Sequence, residues 1–321
     1  MCLIKTDAAG DTTWTRILGT TPNRYDFAES IVETTDGGYL ITGGGYQSGV
    51  FQGTYLIRTD PFGAVLWAKS ATGMPSGIRV VETVGGGSIV LGIVPANSID
   101  LHAIRFDALG DTLWSRSYGG SSFEEAEAVI QTSDEGFLFA GATRSFSAGL
   151  TDAYFVRTDA AGNIVWTRSF GQSQHDRFYA VQELPDHSYA AVGHTTSFGS
   201  GQSDLFLVRA DTAGSTGCDE LVAATLMHTP AMTMGNVTFQ TASGIPVGNT
   251  TLAWSAGSIP STECFNVHVP EMQDAGPSFV VRPTVVDAGS PVRIAAPRGE
   301  YKVMDITGRI VVQRAIDGGQ E

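Results

Sequence analysis

Short apolar runs separated by turn residues, with no helical period, organise the first two thirds of the chain. Residues 56–59 (LIRT) and 65–67 (VLW) flank the sequence Asp60-Pro61-Phe62-Gly63. An Asp side chain caps such a turn and Gly accepts a positive φ, so the two runs are predicted to pair as a β-hairpin. A second hairpin is predicted between residues 129–132 and 136–139.

The same runs and turns recur along the chain. The copies read LIKTDAAGDTTW, LIRTDPFGAVLW, AIRFDALGDTLW, FVRTDAAGNIVW and FLVRADTAGSTG, and a second motif, TTDGGYLITGG in its first copy, recurs between them. The residues that keep this register are Asp7, Asp60, Asp107, Asp159 and Asp211; Gly10, Gly63, Gly110, Gly162 and Gly214; and Trp14, Trp67, Trp114 and Trp166. We interpret the Asp and Gly residues as turn formers and the Trp residues as packing groups.

This repeat predicts an all-β fold, and more specifically a β-propeller. Four short strands in about fifty residues is the size of one propeller blade. In the run Ile164-Val165-Trp166, apolar side chains point to both faces of the strand, which predicts a sheet covered on both sides. Residues 1–217 are then four blades plus one strand. Because the first copy starts inside a strand, we expect further blade sequence and an export signal upstream of Met1.

Composition narrows the classes of partner. The formal net charge is −14, so nucleic acid and anionic membrane surfaces would be repelled. No apolar stretch approaches the ~18 residues of a membrane span. Residues 218–269 form a segment rich in Thr, Ser and Ala that is bracketed by Cys218 and Cys264 and carries no charge from residue 221 to 262. A disulfide between them and two free buried thiols are both open.

The motifs carry a resemblance to a known family. The string D-G-G-Y-x-[IL]-x-G, then a Gly/Ser-rich loop with Asp, then L-[IV]-[KR]-T-D-x-x-G-x-x-x-W, resembles the repeat of secreted propeller proteins common in the Bacteroidetes. The loops at 145–154 and 197–206 fit the pattern, and the resemblance covers roughly residues 3–265. It implies an extracellular or outer-membrane-surface location.

The C-terminal region has a different pattern. Residues 270–278 (PEMQDAGPS) form a predicted linker, and residues 279–321 resemble the start of the C-terminal sorting domain of type IX secretion, a small β-sandwich-like module that is incomplete here. The motif residues are Asp305, Gly308 and Arg309. Pro283-Thr284 departs from the usual Pro-Asn-Pro. The resemblance implies the type IX secretion machinery as a partner.

No catalytic motif emerges, so we predict a non-enzymatic protein with no cofactor. A propeller enzyme of the quinoprotein-dehydrogenase or sialidase type is the alternative, because the repeats of both families look similar. Asp100, Asp152 and Asp204 occupy corresponding loop positions; they are interpreted as solvated carboxylates, with Ca²⁺ binding as the alternative. The predicted role is a binding, adhesion or display scaffold with a glycan or protein ligand. An exposed aromatic cluster including Tyr46, Phe51, Phe146 and Phe198 would favour a glycan-binding module.

Overall fold

The computed structural model describes residues 1–20, 24–72, 76–95, 99–199, 202–218, 220–243, 299–304 and 310–316. All regular structure within these ranges is β, which confirms the all-β class. No helix in the described ranges is long and apolar enough to cross a membrane. The chain divides into two compact units, Met1–Thr250 and Thr251–Glu321.

Five consecutive antiparallel sheets make up most of the first unit. Within each sheet the strands lie side by side in the order in which they occur in the chain. Sheet I contains β1 (Cys2–Thr6) and β2 (Thr12–Gly19), and sheet II contains β3 (Arg24–Glu33), β4 (Tyr39–Gln47), β5 (Val50–Thr59) and β6 (Val65–Thr72). Sheet III contains β7 (Ser76–Glu82), β8 (Ser88–Pro95), β9 (Ile99–Phe106) and β10 (Thr112–Gly119), and sheet IV contains β11 (Glu124–Gln131), β12 (Phe137–Thr143), β13 (Asp152–Thr158) and β14 (Ile164–Phe170). Sheet V contains β15 (Asp176–Glu183), β16 (Tyr189–Thr195) and β17 (Asp204–Ala210). Both predicted hairpins are confirmed, as β5–β6 and β11–β12.

The glycine that closes the second motif is required by close packing within sheets II, IV and V. A Cβ at Gly43, Gly141 or Gly193 would stand within 2.0 Å of a carbonyl oxygen on the preceding strand. At each of these points the preceding strand carries a β-bulge. The repeated glycine therefore lets a bulged first strand lie against the second one.

Neighbouring sheets pack face to face through four apolar cores, one at each junction from I–II to IV–V. At the IV–V junction the ring of Phe155 lies 4.7 Å from that of Phe178 and 5.3 Å from that of Phe170, centroid to centroid. All three side chains are buried. Each sheet is thus held mainly by the sheets before and after it in sequence.

Residues 220–243, called the return segment from here on, run back along the array. The segment forms the short strands β18 (Glu220–Val222), β19 (Leu226–His228), β20 (Thr233–Asn236) and β21 (Gln240–Ser243). These pair in turn with the last strands of sheets IV, III, II and I. Between the strands, Ala223, Met232 and Phe239 enter the cores of three successive junctions. The return segment, which contains the described part of the uncharged segment, therefore adds a short edge strand to each of four sheets.

In the second unit, β22 (Gly299–Met304) pairs antiparallel with β23 (Ile310–Ile316).

Candidate functional site

The repeated aspartates close their turns with their own side chains. The Asp60 Oδ1 atom accepts hydrogen bonds from the backbone N–H groups of Phe62 and Ala64 at 2.9 and 2.8 Å. The Gly63 N–H donates to the Asp60 carbonyl at 3.1 Å. The same bonds form at the other four aspartates, and the five glycines have φ between 74° and 88°. In each turn the Asp Oδ1 atom accepts hydrogen bonds from the backbone of that turn, so these aspartates have a structural role.

Each repeated tryptophan contacts the turn of the following repeat. A Cβ added at Gly63 would stand 2.9 Å from the Trp14 ring, and the same close approach joins Gly110 to Trp67, Gly162 to Trp114 and Gly214 to Trp166. The indole N–H groups of Trp114 and Trp166 donate to the carbonyls of Ala160 and Thr212, both at 3.0 Å. The repeat motif thus links neighbouring sheets, a role that its spacing along the chain did not reveal.

A second set of contacts links the two motifs within one sheet. The Asp36 carboxylate, from the D-G-G-Y string, accepts two hydrogen bonds of 2.6 Å from Arg58 Nη2, in the L-I-R-T-D string. Arg58 is buried, and its hydrogen bonds hold the pKa of Asp36 well below the usual range. Asp134 pairs in the same way with Arg157, and Asp186 with Arg209. These ion pairs account for the charged residues of both motifs in sheets II, IV and V, whereas the position of the acid in sheet III is Gly85.

Several predicted residues lie outside the described ranges. Cys218 is exposed, and Cys264 lies beyond the described residues, so the disulfide stays a prediction. Asp305, Gly308 and Arg309 also lie outside them; the described strands β22 and β23 flank that motif on either side. Residues 270–278 are likewise not described.

An aromatic cluster lies at one end of sheet II. Tyr25, Phe27, Tyr46 and Phe51 follow one another with ring centroids 6.1, 5.8 and 5.2 Å apart. The side chains of Tyr25 and Tyr46 are 68% and 41% exposed. Tyr25 is directly opposite Tyr46 in the register of β3 and β4. We call these four residues the aromatic cluster.

The other two aromatic residues of the predicted cluster are placed elsewhere. Phe146 is half-buried, 6.0 Å from Tyr154 in sheet IV, and Phe198 is half-buried, 5.7 Å from Phe206 in sheet V. Each packs on its own sheet. Only Tyr46 and Phe51 therefore belong to one cluster, and sequence reasoning missed Tyr25 and Phe27.

The interpretation of the loop aspartates as solvated carboxylates is wrong for two of the three. Asp100 and Asp152 are buried, and Asp204 is half-buried. The three sit at the same register position, opposite the residue two places after the closing glycine of the second motif. Each begins or nearly begins the third strand of its sheet, and at Asp100 and Asp152 the following sheet packs closely and excludes water.

Asp152 and Asp100 each face a second buried acid across the junction with the following sheet. A Cβ added at Gly171 would stand 2.9 Å from Asp152 Oδ1 and 2.4 Å from Asp176 Oδ2, so both carboxylates flank this glycine. Asp100 and Glu124 flank Gly119 in the same manner at the III–IV junction. Burial raises the pKa of Asp152 to about 6, and the charge of Asp176 adds to the rise. Burial also raises the pKa of Glu124.

Among the described residues, no three histidine, cysteine or acidic side chains converge on one point as a metal cluster. Comparison with known proteins finds neither a matching family model nor a matching curated sequence.

Proposed function

We propose that this protein is a secreted or cell-surface binding scaffold of the β-propeller class with no catalytic role, and that the aromatic cluster is its contact surface for a glycan. The aromatic cluster carries the proposal. Two of its rings are well exposed, the four side chains are uncharged, and the two tyrosines add hydroxyl groups beside apolar ring faces. Such a surface suits a neutral ligand with both apolar and hydroxyl faces.

The packing of the sheets supports the propeller. In sheet IV, Ala153 and Phe155 are fully buried by sheet V. The register places Leu205 and Leu207 of sheet V at the corresponding positions, and both are exposed. In a propeller each blade packs against a neighbour on both faces, so sheet V presents the apolar face that a further blade would cover.

Ligand binding tests the role of the aromatic cluster. Tyr46→Ala should weaken binding to any glycan selected on an array at least tenfold, about 1.4 kcal/mol, because it removes the central exposed ring. Tyr179→Ala is the matched control: its side chain is 46% exposed but lies in sheet V, and binding should be unchanged. Failure of the unaltered protein to bind any glycan, or equal losses in the two variants, would contradict the proposal; a protein ligand would then be sought.

We further propose that residues 279–321 direct export through type IX secretion. The resemblance around Asp305–Arg309 supports this role, as does the hairpin β22–β23 that flanks the motif. With a Sec signal peptide and a complete set of sorting-domain strands, the protein should reach the surface of a host that has type IX secretion. Removal of every residue from 279 onward should abolish delivery, while Tyr46→Ala should leave it normal. Undiminished delivery after the removal would rule the role out.

A further inference from the structure

The two acids at the IV–V junction, Asp152 and Asp176, differ in the number of hydrogen bonds that their carboxylate oxygens accept. Asp176 accepts hydrogen bonds from the Gln172 N–H at 3.1 Å, from the Ser197 hydroxyl at 2.6 Å and from the Thr195 hydroxyl. Asp152 accepts one, from the Ala148 N–H to Oδ2 at 2.9 Å. Its Oδ1 atom is buried and has no hydrogen-bond partner among the described residues. That atom points at the glycine that Asp176 also faces.

A buried carboxylate oxygen without a partner requires a compensating charge or proton. No Lys, Arg or His among the described residues forms an ion pair with Asp152 or Asp176. Two carboxylates in one water-excluded place also repel each other when both are ionised. The described protein groups therefore do not supply the charge or proton that the Asp152 carboxylate requires.

The repeat shows that the acids come in pairs. The III–IV junction has Asp100 with Glu124, and the IV–V junction has Asp152 with Asp176, in the same arrangement around a glycine. At the II–III junction the position corresponding to Asp152 is Gly53, opposite Gly45 in the register. The position corresponding to Asp176 is Pro75 in the sequence, which is not among the described residues. At these three junctions the two acids are therefore either both present or both absent. This is expected if the two acids bind one common partner.

We propose that Ca²⁺ binds between Asp152 and Asp176 and links sheet IV to sheet V. The side-chain ligands are the oxygens of two carboxylates, which suit a hard cation and do not suit zinc or copper. Backbone carbonyls and water complete the six to eight oxygens that Ca²⁺ takes. The metal site is independent of what the aromatic cluster binds, so either proposal can fail without the other.

Titration of the full chain, freed of metal by a chelator, tests the site. Isothermal titration calorimetry with CaCl₂ should give a Kd of about 0.1–1 mM, the range of extracellular calcium modules. Saturation should raise the Tm, because only the folded state binds the ion. Absence of binding and of a Tm shift across that range would overturn the proposal and leave a proton shared by the two carboxyls as the explanation. This measurement needs no variant.

Substitution locates the ion. Asp152→Asn keeps the side-chain shape but removes the charge, and it should weaken Ca²⁺ binding at this junction at least tenfold and remove its share of the Tm shift. Glu135→Gln, on the exposed turn between β11 and β12, is the matched control and should bind Ca²⁺ as the unaltered chain does. Retention of full affinity in Asp152→Asn would place the ion elsewhere and overturn the proposal.

Discussion

Replacing Phe155 with alanine should lower the free energy of unfolding by about 3–5 kcal/mol. The Phe155 side chain is fully buried between sheets IV and V, and its ring contacts those of Phe170, Phe178 and, at 6.4 Å, Trp166. Removal of the ring loses its transfer free energy and leaves a cavity that three aromatic neighbours cannot close. Urea unfolding followed by tryptophan fluorescence measures the loss.

The control for this change is Phe62→Ala. Phe62 is an exposed turn residue, and its removal should change the free energy of unfolding by less than about 0.5 kcal/mol. A loss at Phe155 no larger than that at Phe62 would show that sheets IV and V do not share this core.

Acidification should destabilise the protein through His102. This side chain is fully buried in β9, and its Nε2 atom lies 2.8 Å from the Ser115 hydroxyl. Its Nδ1 atom has no hydrogen-bond partner among the residues that the structure describes. Burial lowers the pKa of His102 from 6.5 to about 4. Between these values the unfolded chain binds a proton that the folded chain does not, so stability falls as the pH falls. The loss from pH 7 to pH 4 should be about 3 kcal/mol.

The repeat supplies the variant that tests this prediction. The register places Tyr55, Tyr154 and Phe206 at the position of His102 in other sheets, so the site accepts an aromatic ring. In His102→Phe the free energy of unfolding, measured at several pH values, should fall by about 3 kcal/mol less over this window. Phe62→Ala, an exposed turn variant that removes no titratable group, should leave the pH dependence unaltered. Parallel pH profiles for His102→Phe and the unaltered chain would contradict the assignment.

The hairpins could be predicted because their determinants are local. An Asp that bonds to N–H groups two and four residues later, and a Gly with positive φ, act within five residues. The return segment could not be predicted in this way. Its strands are three or four residues long, show no clean alternation, and are held by backbone pairing to strands far back in sequence. Edge pairing through the backbone leaves little trace in side-chain chemistry.

The prediction of a sheet covered on both sides agrees with sheets III and IV, which have an apolar core on each face, but it does not extend to every residue of the last strand. Leu66, Leu113 and Val165, each next to a repeated tryptophan, are exposed. The tryptophan face is covered by the turn of the following repeat, whereas these three side chains on the opposite face are exposed. Apolar character on both faces of a strand therefore overstated its burial.

Members of the two candidate sites are also far apart in sequence. Tyr25 reaches Tyr46 only through the β3–β4 register, and Asp152 reaches Asp176 only because successive sheets stack. Sequence identified one member of each pair from its loop. The partner depended on strand pairing and on sheet packing, which single-residue patterns do not specify.

Because the return segment runs backwards along the sheets, the sheets receive their outer strands at different times during synthesis. Phe170 of sheet IV pairs with Glu220, and Gly19 of sheet I pairs with Gln240. At 5–20 residues per second, sheet IV waits roughly 3–10 s for its outer strand, whereas sheet I waits roughly 10–45 s. Of these five sheets, the one that is synthesised first is thus the last to have its edge closed. Over that interval the free edge of β2 is open to neighbouring nascent chains, and this is where a chaperone would have the most time to act.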